Sequence, residues 1–369
     1  MCGYGYALLA QFIKQSRLPN LSYQHSIVMI KKKISIKDIA KLTNTSITTV
    51  SFVLNGKGRI SKEISEKILA IASENGYEPN RMAVGLRTGA SKVIGFVVEA
   101  IGGPFFGAMA KVIEEEAEKQ GYGVIYCSTN NNIQKGKDVI RMLSRQQVDG
   151  YIITPLKGLE KEVQNLVTND KPVVLIDGYF PDLDIPHVLV DNYNSSYTAI
   201  EFLINSGYRD IGLITADIEL IQLQDRMHGY TDALKAHGLN DDQKAILKIA
   251  FDTDRDKAIK LMKAFIKQQK HLDALFFTTN YLGIMGLQSI TELGLNIPND
   301  LAMLSFDDNE IFEFYPPGIT TVKQPAYDIA KSAIDMLLSQ MSEKKYDISK
   351  IKLQIPAQIV KRGSTVDLK

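Results

Sequence analysis

From Lys92 onward, short apolar runs alternate with longer segments in which apolar residues recur every three or four positions. The apolar runs predict buried β-strands: KVIGFVV, YGVIYCST, VDGYIIT, KPVVLID, HVLVD, YRDIGLIT, LDALFFTT and LAMLSFDD. The intervening segments, such as FFGAMAKVIEEEAEKQ, predict amphipathic helices. Strands that are apolar throughout are typical of parallel sheets covered by helices on both faces. The pattern therefore predicts two doubly wound α/β lobes with parallel sheets.

Ahead of this series, three short helices are predicted between Ser35 and Gly76. Ser35, Ser46 and Ser61 each precede a helical segment and are typical N-cap residues, and Asn75-Gly76 is a typical helix end. The apolar positions predict a small shared core of Ile36, Ile39, Ala40, Val50, Val53, Leu54, Ile64, Ile68 and Ile71. Two short helices joined by a tight turn, with a third behind them, describe an all-α helix-turn-helix domain.

The second of these helices, SITTVSFVLNG, carries an unexpected apolar residue on its outer side. At 3.6 residues per turn, Val50, Val53 and Leu54 share one stripe, whereas Thr48 and Phe52 fall on the opposite side. A phenylalanine that faces water predicts a surface that contacts a partner.

Charge is segregated along the chain, although the net charge of the 369 residues is only +1. Residues 31–92 contain 12 Lys or Arg against 5 Asp or Glu, whereas the residues from Val93 onward contain 29 against 37. A basic N-terminal segment followed by an acidic remainder is typical of a nucleic-acid-binding module attached to a second domain. Three-helix units also serve as protein-interaction modules, so a front that contacts a protein remains an alternative at this point.

Several classes of protein and site are not favoured. Two cysteines, Cys2 and Cys127, are too few for a disulfide framework and lack metal-ligand spacing. No apolar run has the roughly 20 residues of a membrane span, and no phosphate loop or catalytic constellation is recognisable. We expect a cytoplasmic protein that is not an enzyme, with no cofactor, no metal and no membrane partner.

The stretch SIKDIAKLTNTSITTVSFVLNGKGRISKEISEKILAIASENGYEPNRMAVGLRTGASKVIGFV resembles the DNA-binding head and hinge of LacI/GalR-type transcriptional repressors, and the resemblance continues to about Arg362. It implies a helix-turn-helix domain over residues 34–78, a hinge helix and linker over 79–91, and a two-lobed, periplasmic-binding-protein-like effector and dimerisation domain over 92–369. Residues 1–33 are expected to be an N-terminal extension. Either this extension is disordered, or translation begins at Met29 and residues 1–28 are not part of the native protein.

For DNA, the resemblance implies a palindromic operator that is read by a homodimer, because two heads related by a two-fold axis match two half-sites. The second helix would enter the major groove, and Leu86 in the hinge would wedge into the minor groove. Lys57, Arg59, Arg81 and Arg87 would contact phosphates. The full set of implied DNA-binding residues is Ile47, Thr48, Ser51, Phe52, Asn55, Lys57, Arg59, Asn80, Arg81, Ala83, Leu86 and Arg87.

For the effector, polar residues at strand ends are the first candidates, because ligands of open α/β sheets bind beyond the carboxyl ends of the strands. Asp177, Asn280 and Asp307 follow predicted strands, although such residues also cap helices. Asp308 is a further candidate of this kind. Asp307 and Asp308 together are poor paired ligands for a metal, because neighbouring residues of a strand point to opposite faces. The resemblance adds further ligand contacts: Arg226, Gln324 and a ring-stacking Phe105 or Phe106.

These residue types suit sugar hydroxyls, so a sugar or sugar derivative is favoured over a nucleobase. Two positions depart from the family's usual pattern. Asn280 is followed by Tyr281 instead of an acidic residue, and Asp177 is followed by Gly178 instead of Arg. The sequence thus predicts a repressor controlled by a small-molecule effector. The alternative is a small-molecule sensor whose front module contacts a protein.

Overall fold

A computed structural model of the chain describes residues 34–77, 90–239, 245–342 and 352–368. The chain divides into two compact units, residues 1–80 and 81–369. None of the described helices is long and apolar enough to cross a membrane.

The described part of the first unit, residues 34–77, contains three helices: α1 (Ile36–Thr43), α2 (Ile47–Leu54) and α3 (Lys62–Glu74). Their N-caps are the three predicted serines. The hydroxyl of Ser35 accepts a hydrogen bond from the backbone N–H of Asp38, whose carboxylate accepts one from the backbone N–H of Ser35, which completes a capping box. Ser46 and Ser61 cap α2 and α3 in the same way through one hydrogen bond each. Local capping chemistry thus fixes where all three helices begin.

The core of this unit is small and includes eight of the nine predicted residues. The buried residues are Ile39, Ala40, Val50, Ile68 and Ala72. The prediction was wrong for Ile64, which lies in the first turn of α3 at the edge of the core and is 37% exposed. Three residues that were not predicted belong to this cluster: Ala72 is buried in the core, and Ile34 and Tyr77 pack against it.

The described residues of the second unit contain twelve strands in two sheets. In chain order they are β1 (Val93–Val98), β2 (Gly123–Ser128), β3 (Gly150–Ile153), β4 (Val173–Ile176), β5 (His187–Val190), β6 (Ile211–Asp217), β7 (Ile246–Ala250), β8 (Ala274–Phe277), β9 (Ala302–Phe306), β10 (Thr320–Lys323), β11 (Lys352–Ile355) and β12 (Gln358–Val360). The first sheet has the order β11-β5-β4-β3-β1-β2 and the second has the order β12-β10-β9-β8-β6-β7. All neighbouring strands are parallel except β10 and β12.

Nine described helices accompany these sheets: α4 (Pro104–Lys119), α5 (Ile133–Arg145), α6 (Glu160–Thr168), α7 (Asn192–Asn205), α8 (Ile221–Ala236), α9 (Arg255–Gln268), α10 (Asn280–Glu292), α11 (Glu310–Phe314) and α12 (Ala326–Met341). Both faces of each sheet are covered. In β1, for example, Phe96 and Val98 belong to one buried cluster and Val97 belongs to another. Burial on both faces explains why the strands read as continuous apolar runs.

The two lobes are not consecutive halves of the chain. After β5 the chain enters the second lobe with α7, which packs with β6 and β8. After β10 it returns to the first lobe, where α12 packs against β1 and β4. It crosses a third time between β11 and β12. The eight predicted strands are present, whereas β7, β10, β11 and β12 were not predicted.

Candidate functional site

A cavity of about 380 Å³ lies between the two lobes of the second unit. Its polar lining residues come from both lobes: Glu99, Asp177, Gln222, Arg226, Thr279, Asn280, Asp307, Asn309 and Gln324. Most of these residues lie at the carboxyl ends of strands. Glu99 follows β1, Asp307 follows β9 and Gln324 follows β10, so the parallel sheets deliver them to one edge.

Two aspartates occupy matching places in the two sheets. Asp177 follows β4 and Asp307 follows β9, and these strands hold the same position in the strand order of their sheets. Both residues have left-handed backbones, with φ of 63° and 68°. Aspartate tolerates this conformation better than most residues. The sharp turn ends each strand and brings a carboxylate to the cavity.

Asp308 points away from the cavity. Its carboxylate accepts two hydrogen bonds from the guanidinium of Arg362, at 2.8 and 3.0 Å, and one from the hydroxyl of Thr321. Burial alone would raise the pKa of Asp308, but these hydrogen bonds outweigh burial and lower it. Asp308 is therefore a structural residue and, unlike the other strand-end candidates, does not line the cavity.

Arg226 in α8 is the buried centre of the site. It is only 3% exposed. Its Nε donates to Oδ1 of Asn192 at 2.8 Å, and its Nη1 donates to the carbonyl of Thr278 at 2.7 Å. The same Nη1 lies 3.6 Å from Oδ2 of Asp307, and the guanidinium stacks 3.7 Å from the centre of the Phe306 ring. This packing fixes one orientation of the fork toward the cavity.

A glycine in α8 permits this arrangement. Gly229 lies one turn beyond Arg226, and a Cβ at Gly229 would overlap the backbone of Tyr193 in α7. The close approach of α7 and α8 brings Asn192 within reach of Arg226. Gln222, one turn before Arg226, lies on the same side of α8 and donates to Oδ2 of Asp177 at 3.2 Å. The hydrogen bond joins the two lobes across the cavity.

The cavity environment shifts the pKa of several groups. Burial raises the pKa of Asp177 to about 7, against the opposing effect of Arg226, and the charges of Asp307 and Glu99 raise it further. Burial also raises the pKa of Glu99, with a smaller contribution from Asp307. Burial raises the pKa of Tyr281 to about 12. The carboxyl groups therefore influence one another in a region with little water.

Aromatic rings form the apolar walls. Phe105 and Phe106 pack edge to face, with ring centres 5.1 Å apart, and both contribute to the cavity lining. Phe106 belongs to the buried core of the first lobe, whereas Phe105 is partly buried. On the other side, Phe251 and Tyr281 pack edge to face at 6.2 Å. A ring or sugar face inserted here would contact aromatic surface on two sides.

The structure brings together all seven residues expected to bind the effector: Phe105, Phe106, Asp177, Arg226, Asn280, Asp307 and Gln324. Sequence reasoning missed Glu99 and Gln222. Glu99 follows its strand as directly as Asp177 does, so the same strand-end rule would have found it. Gln222 lies four residues before Arg226, which is the spacing of neighbours on a helix face.

In the first unit, the outer face of α2 is exposed. Ile47 and Phe52 are 46% and 42% exposed, and Thr48 is also exposed. Lys57 and Arg59 in the following loop are exposed as well. The ring of Phe52 lies beside Gly58, whose φ is +87°, so the loop supports the ring from one side and leaves the other side open.

Two further residues of this face have a structural role that the sequence did not reveal. The side-chain amide of Asn55, the C-cap of α2, donates to the carbonyl of Ser51 at 2.6 Å. Asn55 is exposed and Ser51 is half-buried.

The remaining residues expected to contact DNA lie outside the described part of the chain: Asn80, Arg81, Ala83, Leu86 and Arg87.

Comparison with protein families gives two matches along the chain. Residues 35–80 match the bacterial regulatory proteins of the lacI family, and residues 200–365 match a periplasmic binding protein-like domain. The first match covers the three capped helices, and the second covers most of the second lobe.

Two curated relatives align with most of the chain. A protein named ribose operon repressor from Halalkalibacterium halodurans is 30% identical over 331 residues, which is 90% of this chain and 97% of the relative. A protein named HTH-type transcriptional repressor PurR from Aliivibrio salmonicida is 28% identical over 315 residues, which is 85% of this chain and 94% of the relative.

Solved structures show the same architecture. The lac repressor dimer bound to operator and the anti-inducer ONPF has a TM-score of 0.78 at 21% identity, with coverage of 91% of this chain and 100% of that chain. A periplasmic binding protein/LacI transcriptional regulator from Alkaliphilus metalliredigens, complexed with D-xylulofuranose, has a TM-score of 0.66 at 26% identity, with coverage of 74% of this chain and 99% of that chain.

Proposed function

This chain belongs to the lacI family of bacterial regulatory proteins, and we propose that it represses transcription by binding a palindromic operator with an affinity set by a small molecule in the interlobe cavity. Its relatives are repressors, and the chain is a regulator and not an enzyme. The observation that carries the proposal is the presence, in one chain, of a capped helix-turn-helix with an open outer face and a cavity built around Arg226.

The outer face of α2 is the proposed surface for the major groove. Ile47, Thr48 and Phe52 would approach base edges, with Ser51 and Asn55 beside them. Lys57 and Arg59 would contact phosphates, together with Arg81 and Arg87. Asn80, Ala83 and Leu86 complete the proposed set, with Leu86 at the minor groove.

The proposed effector is a sugar or sugar derivative. Arg226, Asn280 and Asp307 offer a fixed fork of donors, an amide and a carboxylate, which suit vicinal hydroxyl groups. The side chain of Asn280 forms no hydrogen bond within the described part of the chain and lines the cavity. A relative named for a ribose operon and a structure complexed with D-xylulofuranose support a sugar as the class of effector.

A palindromic operator requires two heads, so the proposed working form is a homodimer. Binding to operator DNA also places the protein in the bacterial cytoplasm. The homodimer and the cytoplasmic location both depend on the proposed function.

DNA binding is tested by selecting sites from a randomised duplex library with the purified full-length chain. We expect a palindromic site whose affinity falls steeply with salt, because the bound phosphates release counterions. Phenylalanine offers a base only apolar contact, such as with a thymine methyl, whereas arginine can pair bidentately with guanine. Phe52→Arg should therefore shift the selected sequence toward guanine under this residue.

Leu69→Ala is the matched control, because Leu69 is a similarly exposed apolar residue of α3 (50% exposed) outside the proposed surface. It should leave the selected site unchanged. If no duplex is enriched, or if binding hardly depends on salt, the front module contacts something other than DNA. An identical site selected by the Phe52→Arg variant would show that Phe52 does not face a base.

A further inference from the structure

The interlobe cavity carries more negative than positive charge. Three carboxylates line it, from Glu99, Asp177 and Asp307, and Arg226 is the one basic side chain among its described lining residues. Arg226 lies within ion-pair distance of Asp307. Neither Glu99 nor Asp177 forms an ion pair with any residue that the structure describes. The charge of Arg226 partly offsets that of Asp177, but a ligand that enters this cavity meets two carboxyl groups with no described protein cation in direct contact.

These carboxyl groups do not form a metal site. The described residues include no group of three or more His, Cys, Asp or Glu that could hold a metal ion. The carboxyl groups do act on one another, since the charges of Asp307 and Glu99 both raise the pKa of Asp177. A positive charge within the ligand would favour the ionised carboxylates, whereas a phosphate or carboxylate on the ligand would be repelled.

A hydrogen-bond acceptor without a described partner in the same cavity indicates independently that a ligand with a donor group binds there. Gln324 is only 9% exposed, and its Oε1 is buried without a hydrogen-bond partner among the described residues. Its Nε2 donates to the carboxylate of Asp307. This hydrogen bond fixes the orientation of the amide, and Oε1 remains available to accept a hydrogen bond from a ligand. A buried acceptor without a donor is costly, and a ligand that supplies a hydrogen-bond donor would satisfy it.

The walls of the cavity also suit a cation. Phe105, Phe251 and Tyr281 line it together with aliphatic side chains, and the negative faces of aromatic rings attract ammonium groups. Because Glu99 and Asp177 are partly buried, charge interactions with them are stronger than at the protein surface.

We propose that the effector is a polyhydroxylated amine, such as an amino sugar or an amino-alditol. Its ammonium group binds near Glu99 and Asp177, and its hydroxyl groups bind Arg226, Asn280, Asp307 and Gln324. The inference rests on the proposed function only in treating the cavity ligand as the effector. It narrows the sugar class to members that carry a positive charge and excludes sugar phosphates.

The test is isothermal titration calorimetry at pH 7 with matched pairs of probes that differ in one group. The pairs are hexosamines and their parent hexoses, pentosamines and their parent pentoses, and 1-amino-1-deoxy-alditols and their parent alditols, with N-acetylated and 6-phosphorylated forms of any amine that binds. We expect the tightest probe to be an amine that binds at least tenfold more tightly than its hydroxyl partner, with N-acetylation and phosphorylation both abolishing the gain.

Two variants assign the preference to the carboxylates. Glu99→Gln and Asp177→Asn each keep the shape of the side chain and remove its charge, so each should reduce the ratio of amine to hydroxyl affinity several-fold. Glu115→Gln, an exposed glutamate of α4, is the control and should leave the ratio unchanged. Thermal melts of all three variants check that they are folded.

A parent sugar that binds as tightly as its amine partner overturns the inference, and so does a preference that survives in both variants. Absence of binding by every amine at 10 mM overturns it as well. None of these results depends on DNA. If a neutral sugar binds the cavity and alters operator affinity, the amine hypothesis is refuted but the repressor function stands. If no duplex is selected from the randomised library, only the repressor function is refuted.

Discussion

The carboxyl group of Asp177 has a pKa of about 7 in the folded chain, compared with an ordinary value of 3.8. Between these two values the folded state binds more protons than the unfolded state, so the free energy of unfolding decreases as the pH rises from about 4 to about 7. The destabilising effect is complete above pH 7 and absent below pH 4. Burial of this charge therefore destabilises the unliganded protein, and a cationic ligand bound next to it would offset that effect.

Replacement of Asp177 by Asn should remove this pH dependence. We expect Asp177→Asn to be more stable than the wild type at pH 8, by on the order of 2 kcal/mol once solvent screening is considered, with a difference that shrinks toward pH 4. Urea unfolding between pH 4 and pH 8 measures it. Asp182→Asn, at an exposed aspartate, should follow the wild-type curve. A constant offset between the Asp177→Asn and wild-type curves would contradict the raised pKa.

Among the structural elements, α8 depends on a single small residue for its packing. Gly229 lets α8 approach the backbone of α7, and this contact sets the distance between Arg226 and Asn192. We expect Gly229→Ala to destabilise the protein by about 1–3 kcal/mol, which is typical of overpacking, and to weaken effector binding because Arg226 is displaced. Urea unfolding and calorimetry measure the two effects.

Gly107→Ala in α4 is the matched control. Gly107 is also helical, but the nearest atom to an added Cβ is 3.7 Å away, at the carbonyl oxygen of Ile101. Alanine there should be neutral or slightly stabilising, because it restricts the unfolded chain. Equal effects of the two substitutions would show that helix propensity, and not the contact between α7 and α8, determines stability at Gly229.

Elements encoded by local chemistry were predictable from the sequence, whereas elements placed by distant contacts were not. The three serine caps mark the helix starts because each serine bonds to a backbone N–H within three residues. The central strands are apolar because both faces are buried. By contrast, β11 has alternating burial and the short β12 is an antiparallel edge strand, so neither has an apolar run to mark it.

The cavity residues likewise fall into those that a local sequence pattern identifies and those that it does not. Strand ends locate Asp177, Asn280 and Asp307 from the sequence alone, but Arg226 and Gln324 were expected only from the family resemblance. Gln324 lies where the chain crosses from β10 to α12, and no local pattern marks that crossing. The charge balance of the cavity could not be anticipated either, because it depends on which residues of two lobes meet.

In the molecule as a whole, the cavity and the head must be energetically coupled if the protein is a ligand-controlled repressor. Gln222 and Asp177 already join the two lobes across the cavity, so a ligand bound between them would change the balance between lobe arrangements. By reciprocity, operator binding would change effector affinity by the same factor.

The most direct test is the operator affinity of the full-length chain with and without a saturating ligand. The operator is the duplex obtained by selection, the ligand is the tightest probe found by calorimetry, and fluorescence anisotropy measures Kd at constant salt. We predict that the ligand changes Kd at least fivefold, the lower end of typical allosteric coupling. An unchanged Kd at saturation with a ligand that binds the cavity would contradict control of the operator by the cavity.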